Sequence, residues 1–180
     1  VKYISPFSPG SNVSYKYKLI ESYYEGERKI YKIKVTPRKA GNALFNGEVD
    51  IYDSLWIIKK VNFSLNPNHI PRFSSFSISQ TYTINDSGYV LIVGQTFLYS
   101  SSAEKGKREG QTLVYYSGYQ TNITLPKKFF GNEISSAIDS AYERNADWWE
   151  KQRRDSLSKN EKTYIHYKDS ITLVHSSKAY

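Results

Sequence analysis

The sequence predicts a mainly β protein: a single curved antiparallel sheet, half-barrel-like, with a C-terminal helical segment packed on it. Three features lead there. Aromatic residues make up 16% of the 180 positions, with 17 Tyr, 8 Phe and 3 Trp, and such side chains suit a pleated, half-buried surface. Apolar and polar residues alternate with period two through most of residues 1–126, the signature of strands with one wet face. Beyond Pro126 the spacing becomes that of a helix. The expected organisation is therefore a sheet domain over 1–126, with 127–180 as its hinge and helical extension.

The strands follow in order. In "YKYKL" (15–19) and "YKIKV" (31–35), Tyr and aliphatic residues alternate with Lys16, Lys18, Lys32 and Lys34. With "YEGE" (24–27) as the turn, the two strands pair and their lysines share a face. "LFNGEVDIYD" (44–53) and "LWIIKKVNFSL" (55–65) alternate again around Asp53-Ser54, with Leu55, Ile57, Val61, Phe63 and Leu65 on one face. "FSISQTYTI" (76–84) leads into "NDSG" (85–88), a strong hairpin signal. "YVLIVGQTFLY" (89–99) is apolar on both faces, as for a central strand. "SSAEKGKREG" (101–110) reads as a polar loop and "QTLVYYSGYQTNITL" (111–125) as the last strand. Short links without interposed helices imply an antiparallel meander.

After Pro126, Ile134, Ile138, Ala141, Asn145 and Trp148 keep helical spacing, widened by Tyr142 and Trp149. The adjacent tryptophans read as aromatics docking a helix on the sheet, and Arg153 and Arg154 suit its C-terminal end. Ser158 and Glu161 in "SKNE" form a capping box, so a second helix starts there.

A chain of 180 residues supports a core without disulfide staples. It has no cysteine and no methionine; beginning at Val1 without an initiator, it reads as a segment of something longer. No apolar run approaches the ~18 residues of a membrane-spanning helix. The net charge of +8 sits mainly in the sheet: residues 1–126 hold 15 basic and 9 acidic side chains, or +6, against 10 and 8, or +2, in residues 127–180. The lysines read as a solvated outer face that discourages edge pairing. With no glycine-rich loop or arginine cluster beside them, no nucleic-acid partner is expected.

Reaction chemistry is sparse. His69, His166 and His175 are the only histidines, and His69 sits in the proline-bracketed "NPNHIP" as an exposed loop residue. No nucleophile elbow, P-loop, zinc helix motif or dinucleotide fingerprint occurs. Glu48 and Asp50 point outward from one strand. No catalytic, metal-binding or cofactor-binding residue is assigned, no cofactor is expected, and an enzyme is not expected. Five of the seven aspartates precede serine. Four of these motifs resemble the Asp-Ser/Thr-apolar O-glycosylation signal of exported Bacteroidota proteins, which makes Ser54, Ser140, Ser156 and Ser170 candidate acceptors. Asp-Ser is also ordinary turn chemistry.

"PKKFFGNEI" (126–134), "LSKNEKTY" (157–164) and "KDSI" (168–171), with the strands "YKYKLIESYYEGERKIYKIKVTP", "LFNGEVDIYD" and "WIIKKVNFSL", resemble an uncharacterised family of Bacteroidota outer-membrane proteins. The resemblance implies a middle β-rich region between an N-terminal carboxypeptidase-regulatory-like domain and a C-terminal membrane β-barrel. Trp56, Ile58 and Val61 also look like the pattern of lipoprotein-carrier half-barrels, an analogy of fold alone. On that analogy Phe45, Val49, Ile51, Ile57, Val61 and Phe63 face an apolar groove. Phe129, Phe130, Ile134, Ile138, Tyr142, Trp148 and Trp149 would cover it. The expectation is a non-enzymatic periplasmic binding or scaffolding domain attached to the outer membrane. Its partners would be the barrel of its own chain and a lipid, lipoprotein or glycan. A hydrolase with dispersed carboxylates and a basic-surface binder of nucleic acid or anionic lipid stay open as alternatives.

Overall fold

The computed structural model describes residues 3–39, 43–103, 106–131, 140 and 144–177. The chain divides into two compact units, Val1–Ile123 and Thr124–Tyr180. The first holds seven strands: β1 (Tyr15–Glu25), β2 (Arg28–Pro37), β3 (Phe45–Tyr52), β4 (Ile58–Leu65), β5 (Ser75–Ile84), β6 (Val90–Ala103) and β7 (Gly106–Tyr115). They form one open antiparallel sheet in chain order. The meander expected from the alternation is what the chain builds. The "NDSG" turn closes as expected: Gly88 takes φ 81°, a left-handed conformation cheap only for glycine. The Asn85 side chain accepts from Tyr89 N at 2.8 Å.

The register sorts the side chains. One row runs Tyr17, Val35, Gly47, Phe63, Ile78, Phe97 across β1 to β6; the opposite face carries Lys18, Lys34, Glu48, Asn62, Ser79 and Thr96. The buried core of Tyr15, Val35, Leu44, Val49, Val61 and Phe63 lies on the apolar face of β1–β4. Its second layer is the N-terminal segment. Tyr3 packs on Phe45 with ring centroids 5.4 Å apart, and Phe7 on Phe63 at 6.0 Å. Tyrosine hydroxyls tie the segment down. Tyr15 donates to Ile4 O and accepts from Phe45 N at 3.1 Å, and Tyr17 donates to Pro6 O at 2.7 Å.

Several sequence expectations need correction. β4 begins at Ile58, and Lys59 is a bulge, because Lys60 faces Asp50 while Ile58 faces Ile51. The extra residue turns Ile58, not Ile57, onto the core, and leaves Leu55 in the turn. The polar stretch 101–110 is not a loop: β6 runs to Ala103 and β7 starts at Gly106, so hydroxyl and charged side chains form the ladder there. The last strand ends at Tyr115; Gly118 and Asn122 then take positive φ of 69° and 58°, which breaks the extended run. β6 is not covered on both faces, since Val90 and Leu98 are exposed. His69 is half-buried in a 3₁₀ turn.

In the second unit, α1 (Ala146–Gln152) starts at Asn145, an extended N-cap whose side chain accepts from Trp148 N at 2.9 Å. A helix stripe through Asn145 is thereby excluded: asparagine satisfies the first free N–H groups better than it serves a helix interior. Trp148 and Trp149 pack edge-on at 4.8 Å, with the Arg144 guanidinium 4.4 Å from the Trp148 ring. Neither is buried. The capping box at Ser158 and Glu161 opens α2 (Lys159–Ser177): Glu161 accepts from Ser158 N at 2.8 Å, and Ser158 Oγ accepts from Glu161 N at 3.3 Å.

Candidate functional site

The polar face of the sheet, not the apolar one, holds the clefts of the first unit that suit a polar ligand. Across it, Lys32, Asp50, Lys60 and Thr81 stand side by side on β2 to β5, with Glu48 and Asn62 paired in the next row. With Tyr23 and the bulged Lys59 they line a cleft of about 490 Å³. Glu48 and Asp50 both stand on the outer polar face, as the sequence indicates, but Asp50 is covered there, being only 9% exposed.

Its burial is offset by a partner. The Tyr23 hydroxyl donates to Asp50 Oδ2 at 2.9 Å, and an unpaired buried carboxylate would be costly. The Tyr23 ring lies 5.6 Å from Lys32 Nζ and 5.4 Å from Lys59 Nζ, within cation–π range. Each of these lysines also has an acid: Lys32 pairs with Glu21, and Lys59 with Glu25 at 2.7 Å. Burial, then the hydrogen bond and charge of Asp50, hold the Tyr23 hydroxyl above its ordinary pKa. Glu21 raises that of Lys32. For Lys59, burial works against the charge, and Glu25 with Tyr23 outweighs it. The floor of the cleft is thus a fixed alternation of donors and acceptors, with Lys60, Glu48, Asn62 and Thr81 around it.

A second cleft of about 630 Å³ opens on the same sheet, where Ser64, Ser75, Ser77, Ser100 and Glu109 stand beside Leu65, Phe76, Leu98 and Tyr99. Ser64 lies two residues beyond Asn62 on β4 and faces Ser77, so the polar rows continue from one cleft to the next. The Ser75 and Ser100 hydroxyls are 2.6 Å apart. Lys107 at 2.6 Å keeps the Glu109 carboxyl below its usual pKa. In the second unit, Trp149, Arg153, Ile165 and His166 border a cleft of about 780 Å³. Among the described residues, no three His, Asp or Glu side chains gather as a metal-holding group.

Of the expected groove residues, Val49, Val61 and Phe63 are buried core; Phe45 and Ile51 are half-buried against it, and Ile57 is not part of it. The N-terminal segment occupies the place beside Phe45 and Phe63. Of the expected cover, Phe129 and Phe130 pack edge-on at 5.2 Å, both exposed. Ile134, Ile138 and Tyr142 lie outside the described residues. Ser54, Ser140, Ser156 and Ser170 are all exposed, and Ser170 Oγ donates to His166 O at 2.8 Å. The Asp50 cleft was missed because Glu48-Val49-Asp50 reads as an ordinary wet strand face. The available signal was the basic "KK" at 59–60 on the strand paired with it.

Fold and clefts together define a mainly β module with an open sheet and a polar, mixed-charge face. The chain belongs to DUF5686, a family of unknown function whose model matches residues 1–119. No curated protein and no solved structure matches it.

Proposed function

We propose that this is a non-enzymatic binding module of a larger outer-membrane protein of Bacteroidota, lying on the periplasmic side and handling glycans. One observation carries the choice of glycan over lipid. The apolar face of β1–β4 is filled by the chain's own N-terminal segment, while the polar face keeps a cleft lined by hydroxyls, an amide and paired charges and, beyond it, a second in which serine hydroxyls stand beside Leu65, Phe76, Leu98 and Tyr99. Polyhydroxylated ligands both donate and accept along their length, and that surface offers both in alternation. The compartment and the attachment to a barrel rest on the sequence resemblance.

The test is calorimetric titration of the chain with cellohexaose, maltohexaose, chitohexaose and mannohexaose, beside a fluorescent fatty-acid analogue. Binding of at least one hexaose, weakened in Lys60→Ala and Asn62→Ala, is the expected result. Tight binding of the fatty acid with no hexaose bound would reverse the choice and restore the lipid-carrier reading.

A further inference from the structure

A glycine inside a strand needs a reason, because it adds nothing to the packing and loses the most freedom on folding. Gly47, Gly94 and Gly110 stand inside strands, and none has the positive φ that calls for glycine. Close approach explains two of them. A Cβ at Gly47 would run into Asn62 O of β4, and one at Gly110 into the ring of Tyr99. Gly94 differs: a Cβ there would meet no heavy atom within 4 Å. The register shift beside it leaves Val93 as the extra residue of β6. That bulge does not require glycine either, since the kind that does holds it in the left-handed region. What glycine provides at 94 is room on the face of the sheet, the mark of a place where a ligand comes close to the backbone.

That room lies in line with the Asp50 cleft. Asp50, Lys60, Thr81, Gly94 and Tyr115 are successive partners across β3 to β7, so they share the polar face. Thr81 belongs to both places, as a wall of the cleft of about 490 Å³ and as the neighbour of Gly94. In the next row of the same face, Ser79, Thr96 and Leu113 are partners in the same way. The strip over Gly94 is therefore bordered by threonine hydroxyls on β5 and β6 and by Tyr115 and Leu113 on β7. These two are 46% and 44% exposed although largely apolar. Two strand spacings separate Thr81 from Tyr115, about 10 Å, which admits one sugar ring between them. A pyranose is apolar across its C–H face and hydroxylated at its edge, and the strip offers an apolar side and a hydroxyl side to match.

We infer that Gly94 is the floor of a further sugar subsite, where Tyr115 and Leu113 take the C–H face of one pyranose and Thr81 and Thr96 its hydroxyls; the inference rests on the glycan reading above. The glycan then runs along the row from the Asp50 cleft toward β7. The test is calorimetry of the full chain with the same four hexaoses. Gly94→Val fills the strip, and its Cβ has room there. A β-branched side chain also suits a strand, so the Tm should hold or rise. Affinity for the hexaose that the parent binds should fall about tenfold. Tyr115→Ala should weaken binding too, while Tyr115→Phe should keep it, since the ring and not its hydroxyl meets the sugar. If valine lowers the Tm, Gly94→Ala, which adds the Cβ alone, becomes the deciding variant. Parent-like affinity in the deciding variant, with Lys60→Ala still impaired, overturns the subsite and leaves the glycan reading standing. Parent-like affinity in Tyr115→Ala overturns it as well. No hexaose bound by the unaltered chain removes both.

Discussion

The two halves of the sheet are made of the same kind of strand and are held together differently. Every buried hydrophobic side chain among the described residues lies between Tyr15 and Phe63, in or beside β1–β4. β5–β7 has none, and its buried side chain is the hydroxyl of Ser100. The change is visible along one row of the register: Leu19, Ile33, Val49 and Val61 give way to Gln80 and Gln95. Those two amides accept from Tyr82 Oη and Tyr116 Oη, each at 2.9 Å. Alternation makes a sheet, but a core needs a second layer. The N-terminal segment supplies that layer for β1–β4. In β5–β7, cohesion comes from cross-strand contacts such as Phe76–Phe97 at 5.9 Å and Tyr99 stacked on Phe76 at 6.4 Å.

The largest expected effect probes that layer directly. Phe63 touches both Phe45 and Phe7, and Phe63→Ala should cost about 3–5 kcal/mol, the loss of a buried aromatic plus its cavity. Phe97→Ala, at a half-buried position in β6, should cost about 1–2 kcal/mol, in line with the smaller apolar area it removes from water. Urea denaturation of both variants measures the contrast. Equal losses would mean that β5–β7 is packed as tightly as β1–β4, and the contrast would fail.

Next in size is the hydroxyl that ties the layer down. Tyr15→Phe leaves Phe45 N and Ile4 O without their partner, an expected loss of about 1–3 kcal/mol. Proteolysis within residues 3–13 should speed up with it. The residue also sets an alkaline limit. Burial raises the Tyr15 pKa above 10.0, with the Phe45 N–H pulling the other way. A group whose folded pKa is raised contributes stability that is complete below the unfolded pKa and is lost as pH rises through the folded one. The unaltered chain should therefore lose Tm above about pH 10. Tyr15→Phe should start lower and fall less steeply, since Tyr3, Tyr23 and Tyr82 still titrate with raised pKa. Parallel curves would clear Tyr15 of that role.

Much of this was legible in the sequence, and the exceptions have physical causes. Period-two alternation and turn residues at Gly26 and Gly88 placed the first hairpin and the β5–β6 turn. The Ser158–Glu161 box placed α2, because a cap is a local bond between residues three apart. The Lys59 bulge was not legible: "IIKK" fits either register, and tertiary packing decides which isoleucine turns inward. Nor was the far end of the β6–β7 hairpin, where the ladder continues through the polar stretch 101–110, which lacks the apolar period. The apolar face was recognised, but not that residues 3–13 fill it, since their order comes from tyrosine hydroxyls reaching backbone carbonyls. The Asp50 cleft gathers residues from five strands, β1 to β5, and no local pattern announces such a gathering.

The smallest effect concerns the hydroxyl pair that stands where β5–β7 lacks a core. Ser75 Oγ and Ser100 Oγ lie 2.6 Å apart, and Ser100 is 4% exposed. Ser75→Ala removes one partner and strands the buried Ser100 hydroxyl where water does not replace it, an expected cost of about 1 kcal/mol. Ser75→Ala with Ser100→Ala removes both, so no polar group is stranded and the double variant should fall within about 0.5 kcal/mol of the parent. The order is the informative part: the double variant should be more stable than the Ser75 single, a coupling of opposite sign to simple loss of contacts. It would be read from urea midpoints at constant m-value. Additive losses would mean that Ser100 finds another acceptor when Ser75 is gone. The pair would then be incidental, and the cohesion of β5–β7 would rest on its aromatic rows alone.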